Sequence, residues 1–245
     1  QTPYTDAQLR FLQAVYAAHQ QQFNTDLEFN LLYDSMVRLQ EYVGVSHEEV
    51  QELLDAGLLA EDCTYPHKLY TVTAEGRDVA NIDYSEGVAY GHGKGDLGES
   101  SLHVMMVELG RQYINQHFVD APDSAAAEAR TYYEIDDHRL DAVGLDTDGN
   151  VAVAVEAERS NHDTLTAVPT DYDKMAELDP EAAVWIVKNR EGAHEVLRAL
   201  NEPAEGDARI DKMYSENTPP QDFKLDFDGM SELHTLQYLR DSVLD

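Results

Sequence analysis

The chain has 245 residues and a formal net charge of −31, because 48 acidic residues outnumber 17 Lys and Arg residues. Hydrophobic residues make up 42% of the sequence, which excludes a disordered acidic chain and is enough for one or two folded domains. The single cysteine, Cys63, excludes an intrachain disulfide and a cysteine-based zinc site. Nothing approaches a transmembrane span and no signal peptide is visible, so we expect a cytoplasmic protein with no membrane partner.

Residues 1–82 show the pattern of a small helical domain that ends in a β-hairpin. Helices are predicted over 6–20, where Thr5 is placed as the cap, and over 26–42. The capping box Ser46–Glu49 opens a third helix, and a short hairpin follows over 58–73. Three helices followed by a hairpin are typical of a winged helix, in which the third helix would enter the major groove of DNA.

The third helix carries four carboxylates and no Lys or Arg; the four are Glu48, Glu49, Glu52 and Asp55. An anionic helix should avoid DNA unless salt screens its charge. DNA binding is therefore one interpretation of this domain, and a dimerisation or interdomain contact is the other.

Residues 83–98 contain five glycines and predict a flexible linker, without the Gly-Lys-Ser/Thr ending of a phosphate-binding loop. Residues 99–200 then predict the order α-β-β-β-α-β-α. Within it, helices are expected over 99–117, in the later part of 165–178 and over 192–200, and strands over 132–135, in a hairpin near 149 and over 182–187. Residues 201–245 form the last region, with loop over 201–222 and an amphipathic helix over 229–243 that could pack on the protein or form a homodimer.

The most informative segment is the predicted hairpin around the dipeptide Asp148-Gly149, a strong hairpin signal. If the turn closes there, Asp146 faces Val151, and counting outward Asp141 faces Glu156 and Arg139 faces Glu158. Side chains alternate along a strand, so these four outer side chains share one face. Like charges directly opposite one another destabilise a strand pair, and a cation such as Mg²⁺ held between them would remove that penalty. An ion-pair network neutralised by Arg139 is the alternative.

These motifs resemble a known superfamily. An α-β-β-β-α-β core with an acidic residue on its first helix, an Asp on the second strand and Glu-x-Lys on the third describes the PD-(D/E)XK nucleases. More closely, the chain resembles, over about residues 5–200, the winged-helix replication-relaxation proteins of plasmids and mobile elements. The matching motifs are His103, Arg139-Leu140-Asp141, Glu156-Ala157-Glu158-Arg159 and Asp171-Tyr172-Asp173-Lys174. Leu140 replaces the usual Pro, and Glu158 stands where the superfamily has Lys.

The resemblance implies an α+β chain in which an N-terminal winged helix precedes an α/β restriction-endonuclease-like domain. It also implies Mg²⁺ or Mn²⁺ held by Asp141 and Glu156, with Glu158 as a further ligand and Glu99 or Glu108 completing the set. Lys174 would replace the missing strand lysine from the next helix, and a solvated surface position is the alternative for it. The expected substrate-binding residues are Arg139, Arg159 and His103, although Arg159 could instead pair with a nearby carboxylate and His103 could simply be packed.

Three functions remain open at this point. The first is a DNA-processing protein of a plasmid, virus or mobile element that acts as a metal-dependent DNA endonuclease. The second is a non-catalytic DNA-binding regulator of replication or transcription whose nuclease fold is degenerate, which Glu158 favours. The third is a protein-interaction module, which the acidic third helix favours.

The distribution of charge generates a prediction about salt. The chain has only 6 Lys and 11 Arg, its acidic residues are spread over the whole length, and in this it resembles proteins of halophiles that accumulate salt. The Debye length is about 3 Å in molar salt and about 10 Å at 0.1 M, so dilution restores the self-repulsion of the surface. We expect circular dichroism to show loss of structure below roughly molar KCl. Full thermal stability in dilute buffer would count against the halophile interpretation.

Overall fold

The computed structural model describes residues 3–21, 26–83, 99–136, 138–158 and 164–244. It shows a mixed α/β protein with a two-stranded and a five-stranded sheet. The chain divides into two compact units, Gln1–Met105 and Met106–Asp245. Most of the predicted linker over 83–98 lies outside the described residues. Within the described ranges, no helix is both long and apolar enough to cross a membrane.

The described residues of the first unit form four complete helices and one antiparallel strand pair. In chain order these are α1 (Asp6–His19), α2 (Val37–Val43), α3 (His47–Asp55), β1 (Leu59–Cys63), β2 (Leu69–Val72) and α4 (Ala74–Val79). Thr5 and Ser46 begin α1 and α3 through complete capping boxes, which confirms both predicted helix starts.

The predicted helix over 26–42 is wrong for its first half, because α2 begins only at Val37. The preceding segment is a turn held by polar side chains. The Asn30 side chain accepts the backbone N–H of Leu32, and the Asp34 carboxylate accepts the backbone N–H of Asn30. Asn and Asp side chains that bond to nearby backbone groups compete with the helix for the same donors. The apolar spacing suggested a helix, but it did not reveal this competition.

Helix α4 was not predicted from the sequence. Thr73 begins it, since its hydroxyl oxygen accepts the backbone N–H of Gly76. Gly76 cannot carry a side chain here, because a Cβ would lie 2.0 Å from the carbonyl oxygen of Leu58. This close approach packs α4 against the residue that precedes β1.

The second unit is built on the five-stranded sheet, in the order β3-β4-β5-β6-β7. Strands β3 to β5 are antiparallel, and β5 to β7 are parallel. In chain order its elements are most of α5 (Ser101–Ile114), a π-helical turn (Asn115–Val119), β3 (Glu128–Ile135), β4 (His138–Leu145), β5 (Val151–Glu158), α6 (Thr164–Glu177), β6 (Ala182–Val187), α7 (Arg190–Asn201), a 3₁₀ turn (Pro220–Asp222), β7 (Glu232–Thr235) and α8 (Leu236–Leu244).

The C-terminal region departs from the prediction, because the expected helix over 229–243 starts as a strand. Strand β7 pairs in parallel with β6, with Leu233 beside Trp185. Helix α8 follows directly from Leu236. The four residues of β7 form backbone hydrogen bonds with β6. This tertiary contact outweighs their local helical pattern.

Helices cover both faces of the sheet, which suits the apolar residues on both faces of the hairpin strands. All but the last residue of β5 are buried. On one face, Gly110 of α5 lies so close to Val155 and Ile186 that a Cβ there would be 3.0 and 3.1 Å from their side chains. Neighbouring residues point to the opposite face. That face packs on α6 and α7 in a core that includes Ala154, Val168, Trp185 and Val196.

A buried histidine in the first unit generates a prediction about acid stability. Burial lowers the pKa of His19 from its ordinary value to about 4, while its ring Nδ1 lies 3.2 Å from the Ser101 hydroxyl. Between pH 6.5 and about 4 the unfolded chain binds a proton at this position and the folded chain does not. Stability therefore falls as the pH falls through this window, by about 3 kcal/mol in total.

The test compares the free energy of unfolding at pH 6.5 and pH 4.5 in the wild type and in His19→Gln, whose amide does not titrate. We expect the variant to lose much less stability on acidification. His47→Gln, which changes an exposed histidine of the same unit, is the matched control and should follow the wild type. Equal acid sensitivity of His19→Gln and the wild type would contradict the assignment.

Candidate functional site

The β4–β5 hairpin has the predicted strands but a different turn. Paired residues run from Ala142 opposite Val155 to Leu145 opposite Val151, with an irregularity after Gly144. The Asp146 side chain accepts the backbone N–H groups of Asp148 and Asn150, which enlarges the turn. The prediction that Asp146 faces Val151 is therefore wrong by one residue. Beyond the irregularity, the pairs from Gly144 opposite Val153 to Ala142 opposite Val155 have the predicted register, and Asp141 and Glu156 follow directly after the last of them.

Asp141 lies where the regular pairing of β3 with β4 is interrupted. Pairs are formed on either side of it, between Thr131 and Ala142 and between Tyr133 and Leu140. Tyr132, at the intervening position of β3, has a left-handed backbone with φ of 50°, which is rare for a bulky side chain. On the other side of β4, Asp141 Oδ2 accepts the backbone N–H of Ala157 at 2.8 Å. This hydrogen bond to β5 fixes one oxygen of the Asp141 carboxylate.

Lys174 reaches the same region from α6. Its Nζ forms an ion pair with Glu156 Oε1 and a second one with Asp171 Oδ1 at 3.1 Å. It also donates to the carbonyl oxygen of Arg139 at 3.0 Å. The side chains of Lys174 and Glu156 are each only 9% exposed, so the pair is shielded from water. Lys174 is thus a buried partner of the predicted site and not a solvated surface residue.

The electrostatics of this cluster are dominated by burial. Burial and the neighbouring Asp141 charge raise the pKa of Glu156 well above its usual range, although Lys174 acts in the opposite direction. Burial also raises the pKa of Asp171. Burial would lower the pKa of Lys174, but the carboxylates of Glu156 and Asp171 more than offset this and raise it. The ammonium therefore stays charged because two carboxylates stabilise it.

The cluster of Asp141, Glu156, Asp171 and Lys174 has the donor types that a hard divalent cation requires. Mg²⁺ and Mn²⁺ prefer carboxylate oxygens. The carboxylates of Glu156 and Asp171 contact the ammonium, and the charge of Asp141 acts on Glu156. When all are ionised the cluster carries more negative than positive charge, which a divalent cation would balance. The residues therefore fit such an ion chemically.

The remaining predicted residues of the second unit lie in different surroundings. Glu158, two residues after Glu156, is on the same face at the end of β5 and is only partly buried. The Arg139 guanidinium lies over the Tyr132 ring, 4.9 Å from its centroid. Glu108 is buried in a bidentate ion pair with Arg111, with N–O distances of 2.6 and 2.9 Å. Its carboxylate is thereby committed to a neighbour on its own helix.

The first unit holds the other two predicted residues. Glu99 and His103 pair with one another, with 3.2 Å between Oε1 and Nδ1, and both are largely shielded from water. Three side chains each carry an atom that could bind a metal ion: Glu99 and His103 in the first unit and Asp141 in the second. Nothing indicates which metal this would be. Arg159 lies outside the described residues.

Sequence reasoning gave no role to Asp171, which the structure joins to the cluster. The available signal was its spacing from Lys174: residues three apart on a helix are neighbours, so an acid at 171 and a base at 174 can pair. No local pattern in the sequence identifies the left-handed backbone of Tyr132 beside Asp141.

The buried ion pair generates a prediction about stability. Replacing Lys174 by Met keeps the volume but leaves Glu156 and Asp171 without their counter-ion, and we expect a loss of about 3 kcal/mol. Adding Glu156→Gln to the same chain should recover part of that loss, because the buried charge is then removed. Urea unfolding in molar KCl measures both. Arg198→Met, an exposed change on α7, is the control with little expected effect. If the double variant is less stable by the sum of the two single changes, the pair is not coupled.

Comparison with known proteins finds no matching family model, no matching curated protein and no matching solved structure.

Proposed function

We propose that the protein is a metal-dependent DNA endonuclease that hydrolyses phosphodiester bonds in DNA of a plasmid, virus or mobile element. The observation that carries the proposal is the position of Lys174. The nucleases that this chain resembles have a lysine two residues after the strand glutamate, where this chain has Glu158. Here the ammonium of Lys174 comes from α6 and lies directly against Glu156. A cation beside the strand glutamate is thus retained, although its position in the sequence is different.

The order of elements supports the same proposal. Helix α5, strands β3, β4 and β5, helix α6 and strand β6 follow one another in the second unit, which is the order that the resemblance implies. Asp141 lies on the second strand of this series and Glu156 on the third. A winged-helix identity for the first unit remains part of the proposal, and its three helices and hairpin support it.

In this function each residue of the cluster has a chemical role. Asp141 and Glu156 would hold Mg²⁺ or Mn²⁺, which would supply an activated water and stabilise charge on the phosphate. The Ala157 N–H fixes the Asp141 carboxylate before substrate binds. Lys174 donates to a phosphate oxygen as negative charge develops on it. Glu158 is a further ligand, and Arg139, with Arg159 and His103, contacts the DNA backbone.

One observation favours a second candidate, a non-catalytic DNA-binding regulator of replication or transcription. The Glu156 carboxylate already has a protein cation as its partner. A degenerate nuclease fold could keep this ion pair purely for stability. The two candidates differ in whether a divalent ion binds at Glu156.

Cleavage in molar KCl tests the proposal, with supercoiled and branched DNA as substrates and Mn²⁺ or Mg²⁺ as the metal. The wild type should cleave. Glu156→Gln should abolish cleavage because it removes a ligand, and Lys174→Met should slow it by about 100-fold or more because it removes the cation that faces the phosphate. Glu177→Gln removes an exposed carboxylate of the same helix and is the matched control with unchanged activity.

The outcomes separate the candidates. If no substrate is cleaved by the folded wild type, and DNA binding persists without metal, the regulator is favoured and the endonuclease is rejected. If Glu156→Gln cleaves DNA as fast as the wild type, the active site lies elsewhere in the chain.

A further inference from the structure

The ammonium of Lys174 is enclosed by three oxygens of the protein. It forms an ion pair with a carboxylate oxygen of Glu156, and it donates hydrogen bonds to a carboxylate oxygen of Asp171 at 3.1 Å and to the carbonyl oxygen of Arg139 at 3.0 Å. A lysine ammonium has three donors, so these three oxygens match its capacity. It can contact a substrate only after it gives up one of these acceptors.

Glu156 is the acceptor that would be lost. A divalent cation bound to Glu156 would lie a few ångströms from an ammonium on the same carboxylate, and like charges at that distance repel strongly in a buried site. Asp171 is 28% exposed at its side chain and is not a proposed ligand of the metal. The carbonyl of Arg139 belongs to the β4 backbone. These two acceptors can keep the ammonium beside the site after a metal ion has bound to Glu156.

We propose that Lys174 occupies the metal position of Glu156 in the metal-free protein, and that Asp171 is the positioning residue that retains the displaced ammonium for a phosphate. This inference rests on the proposed function, since it concerns the same site. It implies that metal binding and phosphate binding at this site depend on each other. With a metal on Glu156, one N–H of Lys174 would be freed, and a phosphodiester oxygen would accept a hydrogen bond from it.

Mutual dependence follows from the cost of a buried unsatisfied donor. Metal binding alone leaves one N–H of Lys174 without its charged acceptor, which opposes metal binding. A phosphodiester anion satisfies that donor through a charge-assisted hydrogen bond. The two ligands must therefore strengthen each other's binding, and by linkage they do so by the same factor. Metal without DNA would bind weakly, so the site would be loaded mainly when substrate is present.

The test measures Mn²⁺ binding by the full chain in molar KCl, from the electron paramagnetic resonance signal of free Mn²⁺, with and without dimethyl phosphate. For the wild type, dimethyl phosphate should tighten Mn²⁺ binding about tenfold. Lys174→Met should bind Mn²⁺ more tightly than the wild type without phosphate, and phosphate should have no further effect. Asp171→Asn should keep Mn²⁺ binding but show a smaller enhancement by phosphate, because the ammonium has lost its anionic anchor.

Two controls make the outcomes separable. Glu177→Gln removes an exposed carboxylate from the same helix and should behave as the wild type. Glu156→Gln should bind no Mn²⁺ at this site; if it binds Mn²⁺ as the wild type does, the proposed metal site itself is wrong. If Glu156→Gln loses Mn²⁺ but phosphate enhances binding equally in the wild type and Asp171→Asn, the metal site stands and the role of Asp171 is overturned. Should Lys174→Met not fold, the comparison of Asp171→Asn with Glu177→Gln still decides the question.

Discussion

A buried ammonium must be paired, and the candidate site is organised around that requirement. Lys174 is shielded from water on a helix that packs against the sheet, so its charge is tolerated only where carboxylates surround it. Strand β5 provides Glu156 and α6 provides Asp171, while the β4 backbone provides the carbonyl of Arg139. The three acceptors come from three elements. The pairing of one lysine therefore fixes how α6 lies on the hairpin that carries Asp141.

Much of this arrangement was predictable because its causes are local. Apolar residues on both faces of β5 indicated a strand covered on two sides, and the complete burial of its first seven residues confirms it. Thr5 as a cap and the capping box at Ser46 indicated two helix starts, and both are present. The strand register that places Ala142 opposite Val155 also follows from counting along the hairpin. Each of these features depends on residues within one turn or one strand pair.

The features that could not be predicted depend on distant residues or on side-chain competition. Leu233 and its neighbours form β7 because buried β6 offers them a parallel partner, which periodicity does not show. Asn30 and Asp34 replace a helix by a side-chain-bonded turn. The contact of Lys174 with Glu156 joins residues 18 positions apart through the packing of a helix on a sheet. The sequence suggested that Lys174 could serve the site, but an exposed lysine fitted the helical pattern equally well.

The surface and the site of this acidic protein respond to salt in different ways. Exposed carboxylates repel one another through water, and molar salt screens that repulsion because the Debye length falls to about 3 Å. The ion pair of Lys174 with Glu156 lies where salt ions have little access, so screening weakens it much less. High salt can therefore stabilise the folded chain without breaking the buried ion pair. The same reasoning bears on the proposed function of a chain with net charge −31. In that function, DNA phosphates would be contacted through Lys174 and a divalent ion and not through a basic surface, and counterion release contributes little at molar salt.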